Sequence, residues 1–275
     1  MTSSNDTATA FAALHRPGTP LLLPNAWDPL SARLIEAAGA PAIATTSAGV
    51  AWALGAADGD RIDRDSVLAL VGRVVAAVDV PVSADIESGF GATPDEVGVT
   101  VDGVLAAGAV GANIEDVHPG DPASLRAPQE QAERLAAARA RADAAGVAFF
   151  VNARIDTYLR SVGDPDGRFA DTVARAAAYL AAGAAGIFVP GVVDVATVSR
   201  LAAEIDGPLN VLAGPGAPAA GELAAAGVAR ISLGSSVAAA AYAVAQRAAR
   251  ELLEDGTYTA LASGLNYGEV NALMS

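Results

Sequence analysis

The 275-residue sequence contains no cysteine and no lysine, and all 17 of its basic residues are arginine. Without cysteine the chain forms no disulfide, offers no thiolate to a metal ion and has no cysteine nucleophile. Without lysine it forms no Schiff base with a carbonyl substrate and has no Walker-type phosphate-binding lysine. These absences leave carboxylates, hydroxyls, histidine and arginine as the groups that can carry chemistry.

Positive charge is scarce, and long apolar runs are absent. Thirty-one acidic and 17 basic residues give a net charge of −14, which argues against nucleic acid or an anionic membrane as a partner. The N-terminus lacks the pattern of a signal peptide, and no segment has the roughly 18 uncharged apolar residues of a membrane span. We therefore expect a cytoplasmic protein. Hydrophobic residues make up 52% of the chain, enough for a large core.

Short apolar runs alternate with longer alanine-rich stretches along the whole chain. The segments EAAGAPAI, LAAGAVGANI, DAAGVAFFV, LAAGAAGIFV and AAAGVARISL each have the pattern of a helix end, a glycine turn and a buried strand. Eight apolar runs are predicted as strands: 21–24, 42–45, 80–85, 110–114, 147–152, 186–189, 209–212 and 230–233.

About eight repeats of this kind, without a break in composition, predict one α/β domain over residues 1–275 with the architecture of a closed (β/α)8 TIM-type barrel. Residues 235–275 are predicted to add a C-terminal helical segment. An open, doubly wound sheet is the alternative. Such a sheet usually has a glycine-rich phosphate loop after its first strand, whereas Asn-Ala-Trp-Asp follows here.

Carboxylates cluster where the third and fourth predicted strands end, and barrel enzymes carry their catalytic groups at that end of the strands. Asp85 ends the third strand, and Glu87 follows two residues later, so strand alternation sends both carboxylates toward the same side. Glu115 and Asp116 end the fourth strand. Crowded carboxylates raise one another's pKa values, and a hard cation such as Mg²⁺ relieves the repulsion. The alternative is that each acidic residue caps a helix or lies solvated in a loop.

Two further side chains near this rim can act on a substrate. Arg154 ends the fifth strand, where a guanidinium can hold a substrate carboxylate through two N–H groups; a salt bridge to a protein carboxylate is the alternative. His118 follows Glu115 closely and can serve as an acid or base. Its proline- and glycine-rich neighbours predict a mobile loop, in which a merely solvated histidine is the alternative. Because longer loops on the catalytic face often close over substrate, segment 118–128 is predicted to be a lid.

These segments resemble the isocitrate lyase/phosphoenolpyruvate mutase superfamily. Asp-Ile-Glu-Ser-Gly-Phe-Gly, residues 85–91, is similar to that family's Asp-x-Asp-x-Gly-[Tyr/Phe]-Gly signature, and Asn-Ile-Glu-Asp, residues 113–116, resembles its strand-end motif. Four further segments occur in the family's order and spacing: LPNAWD (23–28), ATTSAG (44–49), LGAAD (54–58) and NARID (152–156). The resemblance covers the chain from about Leu21 to Ser236.

The resemblance implies a magnesium site. Asp85, Glu87 and Glu115 would hold Mg²⁺ partly through water, and Mn²⁺ is a possible substitute. Asp58, on the loop after the second strand, would reach the metal shell or the substrate.

The resemblance also implies how the substrate and the subunits are held. Thr46, Ser47 and Ala48 would cradle a carboxylate with hydroxyl and main-chain N–H groups, which suits a turn at a strand end. Arg154 and Asp85 would contact the substrate as well. Residues 235–275 would pack on a neighbouring subunit of a homotetramer or dimer.

The sequence departs from the family at the lid. Isocitrate and methylisocitrate lyases carry Lys-Lys-Cys-Gly-His after the fourth strand, and phosphoenolpyruvate mutases carry Lys-x-Asn-Ser. Residues 117–126 of this chain are VHPGDPASLR, without lysine or cysteine. Glu87 also replaces the commoner aspartate of the signature.

We therefore predict a Mg²⁺-dependent lyase that cleaves a carbon–carbon bond of a small 2-oxo or 2-hydroxy (di)carboxylic acid through an enolate stabilised by the metal. The predicted catalytic residues are Asp58, His118, Glu115 and Arg154, with Asp58, His118 or a bound water moving the proton. A phosphonomutase acting on a C–P bond and an oxaloacetate-type hydrolase are alternatives on the same fold. A non-catalytic carboxylate-binding protein is the alternative of another class.

Overall fold

Strands and helices alternate along the chain in the computed structural model, which describes residues 3–118 and 120–275. The strands are β1 (Leu21–Leu23), β2 (Asn25–Ala26), β3 (Ile43–Thr45), β4 (Val82–Asp85), β5 (Gly111–Glu115), β6 (Val117–His118), β7 (Asp121–Leu125), β8 (Phe150–Arg154), β9 (Gly186–Val189), β10 (Leu209–Leu212) and β11 (Arg230–Ser232). The helices are α1 (Ser4–Ala13), α2 (Pro29–Ala37), α3 (Ser47–Ala53), α4 (Arg64–Ala77), α5 (Pro94–Ala106), α6 (Pro128–Ala144), α7 (Arg168–Ala181), α8 (Val195–Glu204), α9 (Ala220–Ala225), α10 (Ser236–Asp255) and α11 (Tyr267–Leu273), with a 3₁₀ turn at Thr259–Leu261.

The main sheet closes into a barrel. Within the described residues it has nine strands in the order β1-β11-β10-β9-β8-β5-β4-β3-β2, and every pairing is parallel. β1 pairs with β11 and β2 pairs with β3, while only Pro24 separates β1 from β2. One continuous segment therefore joins both edges of the sheet. The predicted (β/α)8 barrel is confirmed, and the doubly wound alternative is wrong.

Helix α5 illustrates how local sequence builds the outer layer and orients the strand ends. The Thr93 side chain accepts a hydrogen bond from the main-chain N–H of Glu96 (3.3 Å), and the Glu96 carboxylate accepts one from the N–H of Thr93 (3.0 Å). Pro94 occupies the first turn, where its missing N–H costs nothing. Val97, Val101 and Val104 recur at helical spacing and are buried against the barrel. The turn between β4 and α5 is therefore fixed at the end where it enters the helix.

Aromatic side chains fill the N-terminal end of the barrel. His15 stacks on Phe150 of β8 with 3.9 Å between ring centroids, and Phe11 of α1 meets both rings edge-on. A Cβ atom at Gly111 would lie 3.0 Å from the carbonyl oxygen of Phe150, so the packing leaves room only for glycine there. With this end filled, the C-terminal ends of the strands are the open face.

Several segments fold into elements that the sequence did not predict. Residues 117–125 are not an irregular loop: β6 and β7 pair as an antiparallel hairpin, with Val117 opposite Leu125. Pro119 lies outside the described residues. Helices α1 and α3 are also absent from the prediction, because neither short segment has an extended apolar stripe in the sequence.

The predicted C-terminal helical segment is present and largely exposed. In α10, Ala238 is the fully buried residue, while Tyr242 rests against Trp27 and Trp52. Leu253 is 85% exposed and Tyr267 is 87% exposed. No helix in the described part of the chain combines the length and the apolar character that a membrane crossing requires.

Candidate active site

A cavity of about 230 Å³ opens at the C-terminal ends of the barrel strands. This volume lies below the range of about 300–1,000 Å³ typical of sites for drug-sized ligands, so the cavity suits a very small molecule. One side is polar and includes Asn25, Thr46, Ser47, Asp58, Asp85 and Arg154. The opposite side carries the apolar residues Leu159, Phe188, Pro190 and Leu212, and Ser232, Gly234 and Ser235 line the cavity next to Leu212.

The turn between β3 and α3 holds Asp85 in place. Thr45 Oγ1 accepts a hydrogen bond from the main-chain N–H of Asp85 (2.8 Å), and the N–H of Ser47 donates to Asp85 Oδ2 (3.2 Å). The second carboxylate oxygen of Asp85 accepts from the N–H of Glu87 (3.2 Å). Burial raises the pKa of Asp85, and the nearby charge of Asp58 raises it further, although Arg154 opposes both effects. The structure thus brings Asp85 together with the predicted cradle, Thr46 to Ala48.

Glu87 turns away from the cavity. Its backbone adopts φ +50°, a left-handed conformation that is unusual for a residue other than glycine and that clusters at functional sites. The carboxylate accepts a hydrogen bond from the N–H of Asp60, whose own side chain accepts one from Ser88 Oγ (2.6 Å). Burial raises the pKa of Glu87 to about 8, and the charges of Asp60, Asp85 and Asp58 add to the effect.

Glu115 and Arg154 form an ion pair across neighbouring strands. The two residues are register partners on β5 and β8, and Arg154 Nη1 lies 2.7 Å from Glu115 Oε2. Another edge of the guanidinium binds Asp156, with Nε to Oδ1 at 2.6 Å and Nη2 to Oδ2 at 2.8 Å. Burial raises the pKa of Glu115 to about 8, with Arg154 opposing and Asp156 adding. Arg154 therefore forms salt bridges to protein carboxylates, the role predicted from the sequence as the alternative to substrate binding. Its side chain also lines the cavity.

Asp116 supports this ion pair indirectly, through the main chain of Asp156. It is fully buried and accepts hydrogen bonds from the N–H of Asp156 (3.0 Å), from Arg175 (3.1 Å) and from the Tyr179 hydroxyl (2.9 Å). Burial raises the pKa of Asp116 to about 6. The network fixes Asp156 and, through it, the orientation of Arg154.

Asp58 and His118 lie in different places. Asp58 is exposed at the mouth of the cavity, close enough to Asp85 and Glu87 to raise the pKa of both carboxylates. His118 lines a separate cavity of about 620 Å³ together with Asp60, Ser88 and Arg126. The structure therefore brings Asp58, Asp85 and Arg154 to one cavity and leaves His118 outside it.

Comparison with known proteins identifies the family. Residues 11–253 match the family described as phosphoenolpyruvate phosphomutase. The chain belongs to this family. Relatives with a named activity include a phosphoenolpyruvate phosphomutase of Streptomyces platensis, and the resemblance predicted from the sequence motifs is confirmed.

Three relatives match nearly the whole chain. An uncharacterised protein of Mycobacterium tuberculosis (strain H37Rv) is 38% identical over 264 residues, which are 96% of this chain and 95% of the relative. A structure from Burkholderia cenocepacia J2315, provisionally described as a lyase/mutase, is 40% identical, has a TM-score of 0.90 and covers 98% of this chain and 95% of that one. Phosphonopyruvate hydrolase in complex with oxalate and Mg²⁺ is 25% identical, with a TM-score of 0.84 over 97% of this chain and 94% of that one.

The metal-binding set that membership of the phosphoenolpyruvate phosphomutase family implies is only partly assembled. Across residues 3–118 and 120–275, no three carboxylate or imidazole groups converge on one point as a ready-made ligand set. Asp85 faces the cavity, whereas Glu87 is bound to Asp60 and Glu115 to Arg154. Asp85 is thus the carboxylate that is already placed to reach an ion in the cavity.

Sequence reasoning assigned no role to several residues of this site. Asp156 was recognised only as part of a strand-end motif, although its two oxygens fix Arg154. No sequence pattern indicates a role for Asp60, because its contact with Glu87 depends on the path of the loop before α4. Phe188 and Leu212 could have been found from strand alternation, since they lie on the inward-facing side of β9 and β10.

Proposed function

We propose that this protein is a Mg²⁺-dependent lyase that cleaves a carbon–carbon bond of a small 2-oxo or 2-hydroxy carboxylic acid by way of an enolate. The observation that carries the proposal is the meeting of Asp85, the Thr46–Ala48 turn and Arg154 in one cavity of about 230 Å³. The Mg²⁺ and oxalate bound by phosphonopyruvate hydrolase support it, because planar oxalate resembles the enolate of a 2-oxo acid.

The donor set of the cavity fits Mg²⁺. The ion prefers oxygen ligands, commonly one or two carboxylates completed by water and substrate. Asp85 would hold it, with Glu87 and Glu115 acting through water, and Mn²⁺ suits the same donors. Burial raises the pKa of all three carboxylates, and repulsion by neighbouring carboxylates adds to the effect. A bound cation would offset both. When bound, the ion would supply Lewis-acid stabilisation of the enolate charge.

The chain's own residues would bind and orient the substrate. In Arg154, Nη1 and Nη2 each carry two N–H groups. Glu115 accepts one from Nη1, and Asp156 accepts one from Nη2. The other two can donate to a substrate carboxylate, beside the hydroxyls of Thr46 and Ser47 and the main-chain N–H of Ala48; the N–H groups of Thr46 and Ser47 already donate to Ala26 and Asp85. Asp116 and Asp156 would keep the guanidinium in that orientation.

Asp58 is the base that this proposal favours, because it lies at the mouth of the cavity. It would take the proton from a substrate hydroxyl as the carbon–carbon bond breaks. The hydroxyl carbon becomes a carbonyl, and the electron pair of the broken bond forms the enolate, which is then protonated. His118 would take part only if the β6–β7 hairpin moves toward the cavity.

Charge favours a carboxylate substrate over a phosphonate. Arg154 is the single cationic side chain among the described residues that line the cavity, and two protein carboxylates already bind it. Transition states in which charge develops on phosphoryl oxygens are stabilised by several cationic groups. The cavity is therefore better suited to C–C cleavage than to C–P rearrangement.

The test is a substrate screen followed by NMR, with and without chelator. We expect release of a 2-oxo acid in Mg²⁺, loss of the activity in excess EDTA and recovery on adding Mg²⁺ or Mn²⁺. Phosphonate or phosphate release would overturn the lyase assignment in favour of C–P chemistry. Metal-dependent binding of 2-oxo acids with no turnover of any of them would identify a carboxylate-binding protein.

We also infer that the chain assembles with copies of itself. An apolar groove of about 490 Å³ lies beside β1 and β11 and is lined by Leu22, Leu23, Leu223, Ile231 and Leu233, with Leu22 half exposed. A helix following β11 would ordinarily cover this face of a (β/α)8 barrel. Helix α10 is instead mostly exposed, with Leu252 and Leu253 in solvent. A second copy's α10 has the apolar surface to fill the groove.

A further inference from the structure

The two sides of the candidate active site differ in chemistry, and the difference indicates which substrates fit. We propose that the non-reacting end of the substrate is a short alkyl group. The enzyme would then take 2-oxo monocarboxylic acids with a hydroxyl at C4, whose cleavage between C3 and C4 leaves the enolate of a 2-oxo acid, rather than dicarboxylates or phosphonates. This inference rests on the proposed function, since it assumes that the substrate carboxylate binds on the polar side.

The apolar side of the cavity is a preformed wall. It is built from Leu159 after β8, Phe188 and Pro190 at the end of β9, and Leu212 at the end of β10. Gly191 has φ +87°, and a Cβ atom there would lie 2.5 Å from the main-chain nitrogen of Leu159. That close approach holds the loops after β8 and β9 together and fixes Leu159 beside Pro190.

Leu212 closes the wall on its other edge. A Cβ atom at Gly234 would lie 2.9 Å from Leu212 Cδ1, so the leucine side chain covers the backbone of the last strand end. Phe188 in turn lies under the Arg154 guanidinium, 5.9 Å from ring centroid to carbon. The Arg154 guanidinium and the apolar wall are therefore adjacent. A small molecule with a carboxylate at one end and an alkyl group at the other can contact both.

The side chains of Asn25 and Ser232, two polar groups beside the wall, already have protein partners. The Asn25 amide donates to the carbonyl of Thr45, and its oxygen accepts from the N–H groups of Leu233 and Gly234. The Ser232 hydroxyl accepts from Arg230 and donates to Asn210. Arg230 is fully buried, with no hydrogen-bond partner for Nη1 and Nη2, but it does not line the cavity, so it forms no direct ion pair with a ligand there.

A second anionic group would therefore be desolvated against leucine, proline and phenylalanine without a cation in direct contact. Asp58 and Asp85 on the polar side would repel it further. An alkyl group in the same position gains about fourfold in affinity for each methylene that it buries. Together these effects predict a preference for alkyl over carboxylate of at least tenfold.

The experiment is calorimetric titration of the whole protein in Mg²⁺ with three ligand classes. The alkyl ligands are 2-oxobutanoate and 3-methyl-2-oxobutanoate, the dicarboxylates are oxaloacetate and 2-oxoglutarate, and the phosphonate is 3-phosphonopyruvate. We expect the alkyl ligands to bind at least tenfold more tightly than either other class. Leu212→Asn should reduce that preference at least tenfold, whereas Val195→Asn, on the exposed start of α8, should leave it unchanged.

The outcomes separate this inference from the function on which it rests. Tighter binding of a dicarboxylate or of the phosphonate to the unaltered protein overturns the inference and leaves a Mg²⁺-dependent 2-oxo acid enzyme standing. An unchanged preference in a folded Leu212→Asn protein, checked by its melting temperature, also overturns it. If no 2-oxo acid of any class binds in Mg²⁺, the proposed function falls and the inference falls with it.

Discussion

Arg154 and Asp156, two residues apart at the end of one strand, form a two-pronged ion pair with distances of 2.6 Å and 2.8 Å. Asp156 has no exposed surface, and its main-chain N–H is bound by buried Asp116. Arg154 is therefore held rigidly at the edge of the cavity before any ligand arrives. Such preorganisation lowers the cost of ordering a side chain when a substrate binds.

Arg154→Lys should weaken both the fold and ligand binding. An ammonium group cannot replace the planar contact with Asp156 and reach Glu115 as well, so buried carboxylates lose partners. We expect a loss of about 2–4 kcal/mol in unfolding free energy and loss of oxalate binding in Mg²⁺. Thermal melting and calorimetry measure the two effects.

Arg160→Lys is the matched control for this substitution. Arg160 also contacts Asp156, at 3.3 Å, but it does not line the cavity. It should lose under about 1 kcal/mol of stability and keep its affinity for oxalate. If Arg154→Lys binds oxalate as well as the unaltered protein, Arg154 has no role in substrate binding.

The metal-free protein should become less stable as pH rises from about 5 to about 8. Glu87 and Glu115 have ordinary pKa values of 4.5 that the fold raises to about 8. The folded state therefore keeps protons that the unfolded chain releases in this window, so the stabilisation is complete below pH 4.5 and lost as pH passes 8. Each group contributes a slope of up to about 1.4 kcal/mol per pH unit.

Glu87→Gln tests the source of this pH dependence. The amide oxygen can still accept the N–H of Asp60, while the charge repelled by Asp60, Asp85 and Asp58 disappears. Denaturant unfolding in EDTA should give a shallower slope and higher stability at pH 8 than the unaltered protein. Glu204→Gln, exposed at the end of α8, should follow the unaltered protein. A slope that Glu87→Gln leaves unchanged would contradict the assignment.

Leu253→Glu should disrupt self-association. Leu253 is 85% exposed on α10, and a carboxylate there would have to be buried in the apolar groove of another copy. Light scattering should find an oligomer for the unaltered protein and a smaller species for the variant. Val99→Glu, at an exposed position of α5, should not change the mass. A monomeric unaltered protein would refute the inferred assembly.

The β6–β7 hairpin should become more protected when the cavity is filled. It leads from Glu115 into α6 and carries His118 beside a neighbouring cavity, so its closure would cover the mouth of the site. Hydrogen exchange should slow for amides in residues 120–126 on adding Mg²⁺ and oxalate. Residues 209–212, in a central strand, serve as the internal reference. Equal exchange in both states would argue against a lid.

The architecture was largely predictable because each βα unit carries its own signals. Predicted strands 186–189 and 209–212 coincide with β9 and β10, where apolar runs are bounded by glycine and proline. The fifth strand begins at Phe150 rather than Val147, since apolar residues before it form the connection to the sheet. Helix α3 starts directly at the end of β3, and its short sequence SAGVAWA has too few residues to establish a helical period.

The candidate site was only partly predictable because its geometry depends on tertiary structure. Placing Asp85 at a strand end needed only local alternation. Pairing Glu115 with Arg154 needs the register of β5 on β8, which joins residues 39 apart. The outward turn of Glu87 needs a left-handed backbone at a residue that is not glycine, and no sequence signal marks that conformation.

The most direct test of the central claim is calorimetric titration of oxalate with and without Mg²⁺, on the unaltered protein and on Asp85→Ala. We predict tight oxalate binding that requires Mg²⁺, loss of both Mg²⁺ and oxalate binding in Asp85→Ala and in the gentler Asp85→Asn, and normal binding in Asp206→Ala, an exposed control. Both Asp85 variants should stay folded, because burial already disfavours the charge that they remove. Oxalate binding that is equal in excess EDTA, or unchanged Mg²⁺ affinity in Asp85→Ala, would contradict the account.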